Sequence, residues 1–106
     1  MNVVNTGAYA VYRYVEDGIT RYVGITNNLT RGAYEHMLQH GWRIEPMYGL
    51  ETLSRFDARA VEQVLIDQYQ LSDLYNLINS ISLTNPAYHL YIARGREILE
   101  SLNYFQ

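Results

Sequence analysis

Ala8-Tyr9-Ala10-Val11-Tyr12-Arg13-Tyr14-Val15-Glu16-Asp17-Gly18-Ile19-Thr20-Arg21-Tyr22-Val23-Gly24-Ile25 is the stretch from which the fold follows. Its two ends, Ala8 to Tyr14 and Thr20 to Ile25, are rich in the β-branched and aromatic residues that suit a pleated, half-buried surface. Glu16-Asp17-Gly18 between them is a turn signal, so the stretch reads as a β-hairpin. Tyr12 and Tyr22 then lie on paired strands. After the hairpin, Thr26-Asn27-Asn28 offers capping side chains. Leu29, Ala33, His36 or Met37, and His40 keep helical spacing until Gly41, which predicts a first helix over 28–40. Trp42 to Leu50 adds a third strand that Pro46 confines to an edge or a bulge. Ser54 followed by Asp57 starts a second helix, 54–70, in which Phe56, Ala60, Val61, Val64, Leu65 and Gln68 recur at helical spacing and which carries Glu62. Ser72-Asp73 is turn-like and Leu74 to Ser82 short and apolar. Asn85-Pro86 opens a last helix, 86–102, with proline at its first position and Gly95 as an interruption. The expected class is α/β in the α+β sense, a small three-stranded antiparallel sheet packed against three helices.

A chain of 106 residues, 48% of them apolar, buries one core but not two, so a single domain over 1–106 is expected. There is no cysteine, which removes disulfides, a thiolate zinc site and a cysteine nucleophile. No apolar run approaches the roughly 20 residues that span a bilayer, and the first nine residues lack the basic start and apolar stretch of a signal peptide. A soluble protein without a membrane partner is therefore expected. The net charge of −3 and pI of about 5.5 run against the basic surface usual in nucleic-acid binders. Yet all eight basic residues are arginines, whose planar fork suits phosphate. Eleven tyrosines supply phenols that can pack, stack on bases or move protons.

The order of short motifs is more specific than the composition. Ala10-Val11-Tyr12 and Tyr22-Val23-Gly24, followed at once by a capped helix, resemble the two signature tripeptides of the GIY-YIG nuclease family. The second matches well; in the first, Ala10 and Val11 replace the usual glycine and isoleucine, and the tyrosine is kept. Thr26-Asn27-Asn28-Leu29 leading into Glu35-His36, Glu62-Gln63-Val64-Leu65-Ile66 on a second helix, and Tyr75-Asn76 follow in the family's order. The resemblance covers nearly the first three quarters of the chain. It implies a GIY-YIG-like fold and metal-assisted hydrolysis of a phosphodiester. A hairpin tyrosine (Tyr12 or Tyr22) would help activate water, His36 would lie near that water, and Glu62 would anchor Mg2+ or another divalent ion such as Mn2+. A single carboxylate suits magnesium, which keeps waters and takes its remaining ligands from phosphate. Thr26, Arg31 and Asn76 are the implied substrate contacts. One departure stands out, because Gly32 occupies the position where the family carries a phosphate-clamping arginine. Arg31, one residue earlier, is rotated by about 100° on a helix and points elsewhere, whereas His36 shares the face of Gly32. Gly32 reads as an inactivating substitution, natural or engineered, or as a divergence of the site. Leu74-Tyr75-Asn76-Leu77-Ile78-Asn79-Ser80-Ile81-Ser82 with Asn85-Pro86 also resembles the end of GIY-YIG domains found as C-terminal toxins of bacterial polymorphic and contact-dependent inhibition systems. That likeness implies a nuclease of RNA such as tRNA, or of DNA, delivered to the cytoplasm of a target bacterium and opposed by a cognate immunity protein.

Each residue also has a plainer reading. Tyr12 and Tyr22 suit cross-strand aromatic packing, and Glu62 could pair with Arg55 or Arg59 on the helix surface for a few tenths of a kcal/mol. His40 and His89 read as structural, Trp42 as core rather than a base-stacking platform, and Arg94 and Arg96 as a solvated face rather than a nucleic-acid contact. Two other function classes stay open. One is a module that keeps the nuclease fold and binds nucleic acid or protein without cleavage; the other is a protein-interaction domain with chance motif matches. Metal dependence separates the first from an enzyme, and affinity that falls steeply with salt argues against the second. Small size favours a toxin over a repair or mobile-element endonuclease.

Overall fold

A computed structural model describes residues 7–76 and 79–104. In chain order they form β1 (Ala10–Glu16), β2 (Ile19–Thr26), α1 (Leu29–His40), β3 (Glu45–Pro46), α2 (Arg55–Tyr69) and α3 (Tyr88–Ser101), with one 3-10 turn at Leu71–Asp73. The sheet is three-stranded and antiparallel in the order β2-β1-β3, and the class is α+β. Asp17 and Gly18 both take left-handed backbone, φ 54° and 78°. That is the geometry a tight hairpin needs to match strand twist, and Asp-Gly adopts it at low cost. Tyr14 pairs with Tyr22 but Val15 with Thr20, so Arg21 is the extra residue of a bulge. Directly paired residues share a face, which puts Tyr12, Tyr14, Tyr22 and Gly24 on one side of the hairpin and Val11 and Val23 on the other.

Val11 and Val23 are fully buried and pack into a core with Leu50, Leu53, Val61 and Leu65 of the following segments and with Ile98 and Leu99 of α3. Side-chain caps set the helix starts: Asn28 Oδ1 accepts from the Arg31 amide at 3.0 Å, and Ser54 Oγ from the Asp57 amide at 3.1 Å. Gly41, at φ 70°, closes α1. The third strand is shorter than its sequence suggests, because Pro46 has no amide to donate and only Glu45 and Pro46 pair with β1. Its role on that edge passes to a loop, in which the Met47 amide donates to Val11 O and Leu50 O accepts from the Val11 amide.

The start of the last helix also differs from expectation. Asn85 Oδ1 accepts from the Ala87 amide at 2.8 Å and Asn85 O from the Tyr88 amide at 2.9 Å, so Pro86 sits in a turn and the helix begins at Tyr88. Nor does Gly95 interrupt α3. A Cβ at Gly95 would collide with the Ala60 carbonyl and sit 2.7 Å from Val64 Cγ2, so glycine lets α2 and α3 cross closely. Arg94 is not on a solvated face: its fork spans both oxygens of Asp57 at 3.0 Å and also holds Glu97, tying α3 to the first turn of α2. No helix among the described residues is long and apolar enough to cross a membrane.

Candidate functional site

The hairpin face carrying the tyrosines is where most of the expected site residues gather. The ring of Tyr12 crosses directly over Gly24: a Cβ there would strike the phenol hydroxyl and lie 2.9 Å from Cε2. Glycine in Tyr22-Val23-Gly24 is thus required by a close approach. Tyr12 is buried, and its Oη lies 2.8 Å from His36 Nε2, which α1 brings over the sheet. Ring centroids are 6.2 Å apart for Tyr12 and Tyr22, 5.4 Å for Tyr12 and His36, and 5.3 Å for Tyr22 and His36. The two phenols also interact, which holds the Tyr12 proton more firmly and loosens that of Tyr22.

Tyr22 and His36 open onto a cavity of about 740 Å³ that Glu62 of α2 also lines, together with His40, Trp42 and Tyr75. Glu62 is half-buried, and among the described residues no salt bridge joins it to Arg55 or Arg59. Burial raises its carboxyl above the usual range, partly offset by a hydrogen bond from Ser80 and by the charge of Arg59. Burial likewise raises both phenols, Tyr12 the more, with the neighbouring Glu62 charge adding to each. His36 is pushed down by burial first and then by His40, with Glu35 opposing, so it is neutral at pH 7. Among the described residues its Nδ1 is buried without a partner.

The remaining expected residues lie in other roles. Arg31 is exposed and bonds Asn27 Oδ1 at 3.3 Å and Glu35 at 3.8 Å, on the outer surface of α1. Thr26 Oγ1 donates to Asn28 O and accepts from the Asn28 amide, both at 3.1 Å, shaping the entry to α1. Asn76 lines the cavity but spends both ends of its amide on the backbone of Val23, at 2.7 and 3.1 Å, latching the segment after α2 to the open edge of β2. Gly32 is buried on the His36 face, and a Cβ there would meet Thr26 at 3.4–3.6 Å, an ordinary contact. Packing therefore does not demand glycine at 32.

Sequence reasoning missed His40, Trp42 and Tyr75 as cavity-lining rings. Trp42 is half-buried at the cavity, not in the core. The usable signal was His36 and His40 one helical turn apart with Trp42 just past the Gly41 cap. Among the described residues no group of three or more His, Cys, Asp or Glu is placed to cage a metal. Glu62 is the one carboxylate among the described residues that line the cavity. No protein-family model, curated protein or solved structure matches the chain.

Proposed function

We propose that the chain is a metal-dependent endonuclease that hydrolyses phosphodiester bonds in the cavity between the hairpin, α1 and α2. The observation that carries this reading is the meeting of Glu62, Tyr22 and His36 on one cavity, with Tyr12 bonded behind them. Glu62 fits a Mg2+ or Mn2+ ion: a desolvated carboxylate that no salt bridge among the described residues neutralises gains from a cation, and a lone carboxylate suits an ion that keeps its waters. When bound, the ion supplies positive charge for the oxygens of the scissile phosphate.

The proton follows the ring contacts. Water at the cavity gives its proton to Tyr22 Oη, Tyr22 passes its own to Tyr12 Oη, and Tyr12, its hydroxyl turned to His36, passes its own to His36 Nε2. Phenols raised by burial stay protonated and serve as conduits, and the neutral imidazole is the acceptor. Hydroxide then attacks phosphorus as the P–O bond to the leaving oxygen breaks, and that oxygen departs with the bonding electrons and takes a proton from solvent water. Position 32 has no cation, and Arg59 is the positive charge that acts on Glu62.

The toxin reading rests on the likeness of residues 74–82, of which Leu77 and Ile78 lie outside the described residues. It adds RNA such as tRNA, or DNA, in a target bacterium's cytoplasm as substrate, and an immunity protein as partner. The test is magnesium-dependent cleavage of total tRNA and of plasmid DNA by this chain, by Gly32→Arg, and by Gly32→Arg carrying Glu62→Ala. Cleavage by Gly32→Arg that Glu62→Ala abolishes is the expected result. Cleavage by neither form sinks the enzyme and favours a module that binds without turnover.

A further inference from the structure

Trp42 is the centre of a cluster of rings: His36 and Tyr22 of the proposed proton path touch it at 5.7 and 5.4 Å, and with three others it forms a set of four that the path does not use. Tyr14 lies against it at 4.8 Å and 8°, His40 at 4.3 Å and 25°, and Tyr75 at 5.5 Å and 19°. Three of the four rings line the cavity that holds Glu62. His40 is exposed and Tyr75 keeps 44% of its surface open, so near-parallel rings present uncovered area beside the carboxylate.

We propose that this cavity takes an unpaired base of a single-stranded nucleic acid, stacked against the rings of His40, Trp42 and Tyr75, while the adjoining phosphate lies toward the divalent ion that Glu62 would hold. The proposal rests on the nuclease reading and names its substrate as an unpaired segment, not a duplex. Every base has a π-face, so a column of parallel rings accepts any of them. A cavity of about 740 Å³ is of small-ligand size. It admits a nucleotide, whereas a base inside a duplex has both faces stacked and must be extruded first. The carboxamides of Gln39 and Asn79, which line the same cavity, supply hydrogen-bonding groups for a base edge. Net charge points the same way: a chain at −3 gains little from counterion release, and stacking supplies affinity that phosphate contacts do not.

The experiment uses the full chain with Glu62→Gln, so that no cleavage intervenes. Its probes are a short single-stranded oligomer, as RNA and as DNA, carrying 2-aminopurine at each position in turn, and a blunt duplex of the same sequence. Expected are quenching of emission at one or two adjacent positions and weaker binding of the duplex. An abasic nucleotide at the quenched position should lose roughly 5- to 150-fold in affinity, the worth of one stacked base. Tyr75→Ala and His40→Ala should lose a similar factor and restore emission, while Tyr75→Phe, which keeps the ring and loses only its bond to Glu16, should retain both. Quenching on RNA alone supports the proposal with a requirement for the 2′-hydroxyl; quenching on both supports it without one. Duplex binding as tight as single-strand binding, or quenching absent or indifferent to the ring variants, overturns it, and the abasic and Tyr75→Phe arms decide even if an alanine variant fails to fold. Cleavage by Gly32→Arg without position-specific quenching removes this inference alone. Quenching without cleavage in any form removes the nuclease and leaves the base site standing.

Discussion

Tyr12 is bonded to His36 and both rings contact Tyr22, so losing any one of the three interrupts the same step of the proposed proton path. In the form that cleaves, Tyr12→Phe, Tyr22→Phe and His36→Gln should each lower kcat by about 10²- to 10⁴-fold, the usual worth of acid–base assistance. Tyr12→Phe combined with His36→Gln should be no worse than the more damaging single change, because residues acting as a unit are not additive. Multiplying losses would show that Tyr12 and His36 act separately. The same imidazole makes a stability prediction. His36 faces Tyr12, Tyr22, His40 and Trp42, with Glu35 beside it, and its folded pKa lies below the ordinary 6.5. Between that lowered value and 6.5 the unfolded chain binds a proton that the folded chain refuses, so stability falls as pH drops through this window. Glu62, raised above its ordinary 4.5, works in the opposite sense: its contribution is full below 4.5 and lost as pH rises through the folded value. Thermal melts from pH 7.5 to 5 should show His36→Gln losing less stability on acidification than the parent; equal losses would contradict the assigned direction.

The α2–α3 crossing depends on the missing side chain at Gly95. Gly95→Ala should destabilise the chain by about 1–3 kcal/mol despite alanine's better helix propensity, because the new methyl meets the Ala60 carbonyl and Val64. Denaturant melts check this, and a neutral or stabilising result would show that the helices can separate at no cost. Gly95 also marks where local reading ends. The hairpin, α1 and α2 were legible because their signals are local: Asp17-Gly18 fixes the turn, and Asn28, Gly41 and Ser54 fix helix ends. A glycine needed by a neighbouring helix looks in one dimension like a helix breaker, and it was read as one. The third strand shrank because its partner edge bonds a loop instead. At the site, the expected grouping of Tyr12, Tyr22, His36 and Glu62 followed from motif order. The true positions of Thr26, Arg31 and Asn76 did not, since each is set by a backbone or side-chain partner that spacing does not reveal.

At the scale of the whole molecule, Tyr75, Asn76, Asn79 and Ser80, in the segment that follows α2, form one wall of the cavity. Asn76 pins that segment to β2, and Gln63, fully buried, accepts from the Ile81 amide at 2.8 Å and donates to Asp67 and Asn79. The acidic balance of the chain, the absence of a cation at position 32 and the ring-lined cavity fit together if the protein grips a flexible strand mainly by stacking and acts on it with a hydrated ion. The central claim is that Glu62 holds this ion beside Tyr22 and His36, and it can be tested without knowing the substrate. Nuclear magnetic resonance of the folded chain titrated with Mn2+ at sub-stoichiometric ratios reads it through paramagnetic broadening. The account predicts selective loss of the Tyr22 and His36 ring signals and their recovery in Glu62→Gln. Broadening confined to other acidic residues, or unchanged by Glu62→Gln, would contradict it.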